Sequence, residues 1–536
     1  MAAWYVTVVT QNNSVRMPGK KQEPATWRFL IKRRFKWSQI ATGAVMNGRG
    51  RTSRKRKKKR DGVPQSFCKP TCVAAVPSSD FSTSANLSCR RPVPLSHRPE
   101  YVELLRFLHR RGFTSTLLQP ALFSDTGRGL QAVRSIKPGQ LLISLPESCL
   151  LTPSTVLDSY LGQYIKSWRR RLSSLLALCV FLVCERHRGP DAEWWPYVRV
   201  LPASYACPAY FAHAAAALLP ARLRRRAVEQ EDTVREMHSS NRDFFRTLQP
   251  VLRQPVEDVL TFDALRWAWC SVNTRSVFMI QPSNEFLHGQ NDYALAPFLD
   301  LLNHRPDAQV KAGFNHETRS YEIRSAGGTP RFRQAFINYG SHDNQRLLLE
   351  YGFIAPDNPH SVVYVDAEML REVLKGDAAS LEQKMKFLED NNFLSNLSVC
   401  DEGPSWRLTT ALRLMALPQT LFHRRKAVLL GQAVGEAAER QSVQTAAALC
   451  RRLLRDAIAA LEKMQISKVL QQGEPSLREQ LRLVESLWLE EKCILGKCLR
   501  SLSGSQAEAA HTDVDERLAD RHSRVRPQNN AARDET

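Results

Sequence analysis

Residues 299–304 read Leu299-Asp300-Leu301-Leu302-Asn303-His304 and close an apolar run, Ala294–Leu302, that the spacing predicts as a buried strand. Asn and His at the end of such a strand can hold a polar ligand through amide and imidazole hydrogen bonds. Further on, Phe336-Ile337-Asn338-Tyr339-Gly340 reads as a short strand ending in Tyr-Gly. Asn344–Glu350 reads as one or two helical turns, and Tyr351-Gly352-Phe353 follows. The two tyrosines bring ring faces and hydroxyls close in sequence, a pairing suited to a channel for a methylammonium-like group. Upstream, Thr126-Gly127-Arg128-Gly129-Leu130 offers two glycines where backbone can approach a ligand closely. Singly, each segment is an ordinary turn or a piece of core. Their order along the chain carries the reading.

Working outward, residues 1–97 read as a basic tail rich in Pro, Ser and Thr toward its end, with Met46 an alternative start. Tyr101, Leu104, Leu105 and Leu108 share one helical face. A turn at Thr126–Gly129, a Pro138-Gly139 turn and the run Gln140–Pro146 predict two strands. Residues 98–357 therefore form an α+β unit, interrupted by a helical insertion at about 153–265. Residues 366–500 are helical again. Leu408, Leu412 and Met415 make one packed stripe, and Leu477, Leu481, Val484, Trp488 and Leu495 another. Residues 501–536 read as a disordered tail.

Composition limits the function classes. The net charge of +23 sits mostly in residues 1–60, where 17 Lys or Arg face the single acid Glu23, leaving +7 for the rest. The body is not broadly cationic. The run Arg51–Arg60 fits a solvated tail, an import signal or a weak nucleic-acid contact. Twelve cysteines lack a disulfide-framework spacing, and several lie in apolar runs such as Leu175–Cys184, which fits reduced, buried thiols in an intracellular protein. Cys68, Cys72 and Cys89 lack the histidine pair of a zinc finger, so no metal is expected. No apolar run approaches the ~20 residues of a membrane span. There is no Gly-x-x-x-x-Gly-Lys loop, no Gly-x-Ser-x-Gly elbow and no His-Glu-x-x-His pair, which removes three common reaction classes.

The order Gly-Arg-Gly-Leu, Asn-His, Tyr-Gly, then Tyr-Gly-Phe resembles the motif set of SET-domain methyltransferases. Asp300–His304 with Glu350–Phe353 resembles the Rubisco large-subunit methyltransferase-like class over about residues 98–500. That resemblance implies a SET β-fold of short strands with a helical insertion, then an all-α substrate-binding domain. It implies S-adenosylmethionine as cofactor and a lysine of a histone or non-histone protein as acceptor, with nucleus and cytoplasm as the location. By it, Thr126, Gly127, Arg128, Arg275, Asn303, His304 and Tyr339 contact the cofactor, and Tyr339 is the catalytic tyrosine. Arg275, Val277, Asp300 and Tyr351 line the acceptor channel. Val277 stands where the family carries an aromatic, which leaves histidine open as the acceptor. A non-catalytic module recruited to chromatin is the competing reading.

Overall fold

The computed structural model describes residues 91–523, except 116, 375–376 and 471–474. The basic run Arg51–Arg60, Met46 and the cysteines at 68, 72 and 89 lie outside these residues.

The first strand, β1 (Val93–Pro94), precedes the expected boundary at 98 because it pairs antiparallel with Leu122 and Ala121 at a sheet edge, where proline is tolerated. Helix α1 (Pro99–His109) starts with proline in its first turn and buries Tyr101, Leu104, Phe107 and Leu108. Phe107 joins the face read from the sequence, and Leu105 is only partly buried at its flank. Strands β2 (Leu118–Phe123), β3 (Gly127–Ala132) and β4 (Leu141–Pro146) follow.

Helices then run from Pro153 to Arg275, ten residues past the expected end of the insertion. The principal ones are α2 (Ser174–Arg188), α3 (Ala221–Ser239) and α4 (Phe262–Arg275). Thr261 caps α4 by accepting from Ala264 N at 3.1 Å, which starts a helix where the sequence reading had the insertion finishing. Helix α2 is buried nearly all round, Cys179 and Cys184 included, and both are free thiols.

Strands β5 (Ser276–Phe278) and β6 (Tyr293–Leu295) pair antiparallel. The expected long strand Ala294–Leu302 is not one element. Phe298 takes φ +70° and a 3-10 turn covers Leu299–Leu301, so the run breaks after Leu295. Asn303 and His304 then form a strand of their own, β7. After β8 (Val310–Asn315) and β9 (Ser320–Ser325) comes β10 (Gln334–Ile337), which pairs parallel with β7 (Phe336 with Asn303, Ile337 with His304) and antiparallel with β3. The main sheet has the order β1-β2-β3-β10-β7, and a second sheet β8-β9-β4 lies beside it. Sequence-distant motifs thus become neighbours: β10 sits between the Gly-Arg-Gly strand and the Asn-His strand.

Helix α5 (Asn344–Tyr351) leads to the helical domain. That domain is not wholly α: β11 (Val363–Tyr364) and β12 (Ser398–Val399) form a two-stranded ribbon, with Val363 and Val399 buried beneath α6 (Trp406–Ala416). The long hairpin α7 (Glu436–Leu470) and α8 (Pro475–Ser523) completes it. The expected tail boundary at 501 falls inside α8, because Leu502 still packs into the domain core. The stripe on α8 divides between two cores. Leu481 and Val484 join Leu219, Leu223, Leu348 and Leu349 against the first unit, and Leu495 packs with Leu408 and Leu412. Among the described residues no helix is long and apolar enough to cross a membrane.

Candidate active site

The 3-10 turn at Leu299–Leu301 buries Asp300. Arg275, the last residue of α4, donates from Nη1 to Asp300 O at 3.0 Å and to Asp300 Oδ2 at 3.3 Å. Tyr197 donates its hydroxyl to the same Oδ2 at 2.9 Å. Burial pushes the Asp300 carboxyl above the usual carboxylate range, with Arg275 and Tyr197 pulling the other way. For Arg275, burial opposes the charge, but Asp300 and then Tyr205, Tyr197 and Tyr339 outweigh it, so the guanidinium is held above its ordinary value. The arginine is therefore a fixed cation that ties the end of α4 to the turn before Asn303.

Asn303 donates from Nδ2 to Arg128 O at 3.0 Å and, at 3.5 Å, to Thr126 O, pinning the Gly-Arg-Gly turn to β7. Thr126 is also tied to Gln334 at the start of β10 through its hydroxyl. Gly129 lies in close packing: a Cβ there would stand 2.5 Å from Gln334 Nε2 and 2.9 Å from Asn303 Nδ2, so both side-chain amides would have to move. The Arg128 side chain donates from Nη1 to Val200 O at 2.6 Å.

His304 Nδ1 accepts from Tyr339 N at 3.0 Å, so the neutral ring carries its proton on Nε2, a buried atom with no partner. Burial, with help from His342 and His360, pushes this imidazole down to about 4. It is neutral at physiological pH. Tyr339 donates its hydroxyl to Leu302 O at 2.7 Å. Burial pushes its phenol far above the ordinary value despite Arg275, so it stays protonated. Its ring lies 5.0 Å from Tyr351, 6.1 Å from Phe353 and 5.1 Å from His304, centroid to centroid. The Tyr351 hydroxyl is buried and has no partner. The result is an aromatic cluster in which His304 Nε2 and the Tyr351 hydroxyl are buried polar atoms without a partner.

A family model described as Rubisco LSMT substrate-binding matches residues 375–495, the helical domain. SET domain-containing protein 4 of Homo sapiens is 42% identical over 463 residues, covering 86% of this chain and 99% of that protein. The chain belongs to the SET domain-containing protein 4 family. An actin-histidine N-methyltransferase of Danio rerio is 28% identical over 246 residues, 45% of this chain and 40% of that protein. Among solved structures, the SET domain of LSMT bound to lysine and AdoHcy superposes with a TM-score of 0.54 at 18% identity, covering 77% of this chain and 93% of that one. Rubisco LSMT bound to AdoMet gives 0.52 at 19% identity, covering 76% and 93%. The fold is that of the LSMT SET domain with its C-terminal domain.

In this member of the SET domain-containing protein 4 family, the segments around Gly127, Arg275, His304 and Tyr339 converge, linked by the contacts above. Asp300 and Tyr351 join them. Val277 sits in β5 opposite Ala294 with its side chain in the main core, two residues beyond Arg275. Sequence reading missed Tyr197 and Gln334. Tyr197 lies in an aromatic run, Trp194-Trp195-Pro196-Tyr197, that reads as plain core, and its partner is 103 residues away.

Proposed function

We propose that this chain transfers the methyl group of S-adenosylmethionine to a lysine side chain of a protein. The observation that carries this reading is the Tyr339–His304 pair: a buried, protonated tyrosine held by Leu302 O, packed against aromatic rings, just past the end of the strand that lies between the Gly-Arg-Gly and Asn-His strands. The AdoMet of one structural neighbour and the lysine with AdoHcy of another support it.

The residues suit such a donor. Backbone at Thr126, Gly127 and Arg128, together with Asn303 and the open His304 Nε2–H, offers polar groups for its amino-acid and adenosine parts. The ring faces of Tyr339 and Tyr351 favour a sulfonium by the same attraction that holds ammonium ions. When bound, S-adenosylmethionine supplies an electrophilic methyl carbon. The chain supplies alignment. Tyr339 keeps its proton on Leu302 O, leaving oxygen lone pairs to accept an N–H of the neutral amine and point its nitrogen inward. Tyr339 is not the base, because its phenol is protonated, and His304 accepts from Tyr339 N on one side. The ammonium proton therefore leaves to solvent before transfer. Arg275, Val277, Asp300 and Tyr351 line the acceptor side.

A histidine acceptor is the second reading, favoured by the actin-histidine N-methyltransferase relative and by valine at 277. Radiolabelled S-adenosylmethionine with cell extract, followed by amino-acid analysis of the labelled protein, separates them. Methyl-lysine from the wild type and at least a hundredfold less from Tyr339→Phe is expected; methyl-histidine alone replaces the first reading. No label, with no calorimetric binding of S-adenosylmethionine, leaves the non-catalytic module. Histone targets, a weak nucleic-acid contact of Arg51–Arg60 and residence in nucleus and cytoplasm belong to this proposal, supported only by that basic run.

A further inference from the structure

All four hydrogen-bonding positions of the Asn344 side chain are filled. Nδ2 donates to Ala355 O and to Glu490 Oε1, both at 2.8 Å. Oδ1 accepts from Ala355 N at 2.9 Å and from Asn358 Nδ2 at 3.2 Å. Asn358 Nδ2 also donates to His342 O at 2.9 Å. Both amides are buried. An unbroken hydrogen-bonded path therefore joins Glu490, on α8 of the helical domain, to His342, three residues after Tyr339.

His342 touches both tyrosines of the aromatic cluster. Its Nε2 lies 3.1 Å from Tyr339 O, and its ring stacks on Tyr351 at 6.0 Å and 23°. Gly340 permits this return: with φ +136°, a Cβ there would stand 2.6 Å from His342 Nε2. The methyl transfer described above does not use His342.

We propose that His342 is a positioning residue that holds Tyr339 and Tyr351 at their mutual spacing, and that the Asn358–Asn344–Glu490 path fastens it to α8, so that docking of the helical domain sets the spacing of the two tyrosines. This rests on the methyl-transfer reading. A displacement of about 1 Å in such a site costs up to a hundredfold in rate.

The test uses the full chain with its twelve tyrosines replaced by 3-fluorotyrosine, the resonances of Tyr339 and Tyr351 assigned from Tyr→Phe spectra. Glu490→Ala is expected to shift both resonances and lower kcat about tenfold, with KM for S-adenosylmethionine within about twofold. Glu490→Gln, whose amide oxygen can accept the same Asn344 hydrogen, is expected to restore both. His342→Phe keeps a ring on Tyr351 and loses the Tyr339 contact, so the Tyr339 resonance moves; this variant decides the matter if Glu490→Ala does not fold. Unmoved resonances, or a loss that Glu490→Gln does not restore, overturn the proposal. A wild type that methylates nothing sinks the methyl-transfer reading instead, and the fluorine spectra still decide the positioning.

Discussion

Tyr197 and Asp300, 103 residues apart, meet at 2.9 Å inside the insertion–sheet junction, and the same carboxylate oxygen accepts from Arg275. The insertion is thereby fastened to the turn that precedes Asn303. Tyr197→Phe removes the donor and leaves a buried carboxylate with one partner fewer. A loss of about 1–3 kcal/mol is expected, read as a lowered Tm, together with a fall in methyl transfer. A melting curve identical to wild type would show the hydroxyl to be idle.

Gly129→Ala tests the crowding between β3, Gln334 and Asn303. The added methyl would lie 2.5 Å from one amide nitrogen and 2.9 Å from the other, and 3.1 Å from the Phe123 ring. Relief by side-chain movement breaks the bond that pins Arg128 O. Destabilisation of about 1–3 kcal/mol is expected, with S-adenosylmethionine affinity weakened at least tenfold by calorimetry. Unchanged affinity would separate this strand from the cofactor.

Glu491 gives a pH signature. It is buried on α8 beside Gln345, which donates to it at 2.8 Å, and burial pushes its carboxyl up to about 8. Its folded-state pKa lies above the unfolded one, so its contribution is fully present below about 4.5 and is lost as pH rises through about 8. Glu491→Gln keeps an acceptor for Gln345 and removes the titration. Thermal melts are expected to show the variant more stable than wild type at pH 8, by on the order of 4 kcal/mol, and no advantage at pH 4.5. An equal difference at both pH values would refute the assignment.

Lys384 donates from Nζ to Met415 O at 2.9 Å and Leu417 O at 2.7 Å, closing the C-terminal end of α6. Burial lowers its pKa, and the two carbonyls are its partners. Lys384→Met fills the volume but strands both acceptors, for an expected loss of about 1–3 kcal/mol in chemical denaturation. A neutral result would mean that water replaces the ammonium.

The sequence was most readable where one residue type has one structural meaning. The stripe on α1 survives almost unchanged, and the Gly-Arg-Gly, Asn-His and Tyr-Gly segments singled out by their order lie together in the fold. It was least readable where the period is ambiguous. Ala294–Leu302 is apolar but for Asp300, and apolarity alone does not reveal the reversal at Phe298. Long-range partners left no local trace, as with Tyr197 and Gln334. The stripe on α8 was legible as a buried face, but not as a face shared by two cores, because both bury leucine in the same way. The helix extends past 501 because Leu502 is buried, a fact that the surrounding Ser and Gly obscured.

Helix α8 has one further consequence. It grips the SET body near Leu481 and the helical domain near Leu502, and with ~1.5 Å of rise per residue these grips stand about 30 Å apart on one stiff rod. Neither grip can slide along the helix axis without drawing leucines out of one of the two cores, so α8 keeps the helical domain in register with the SET body.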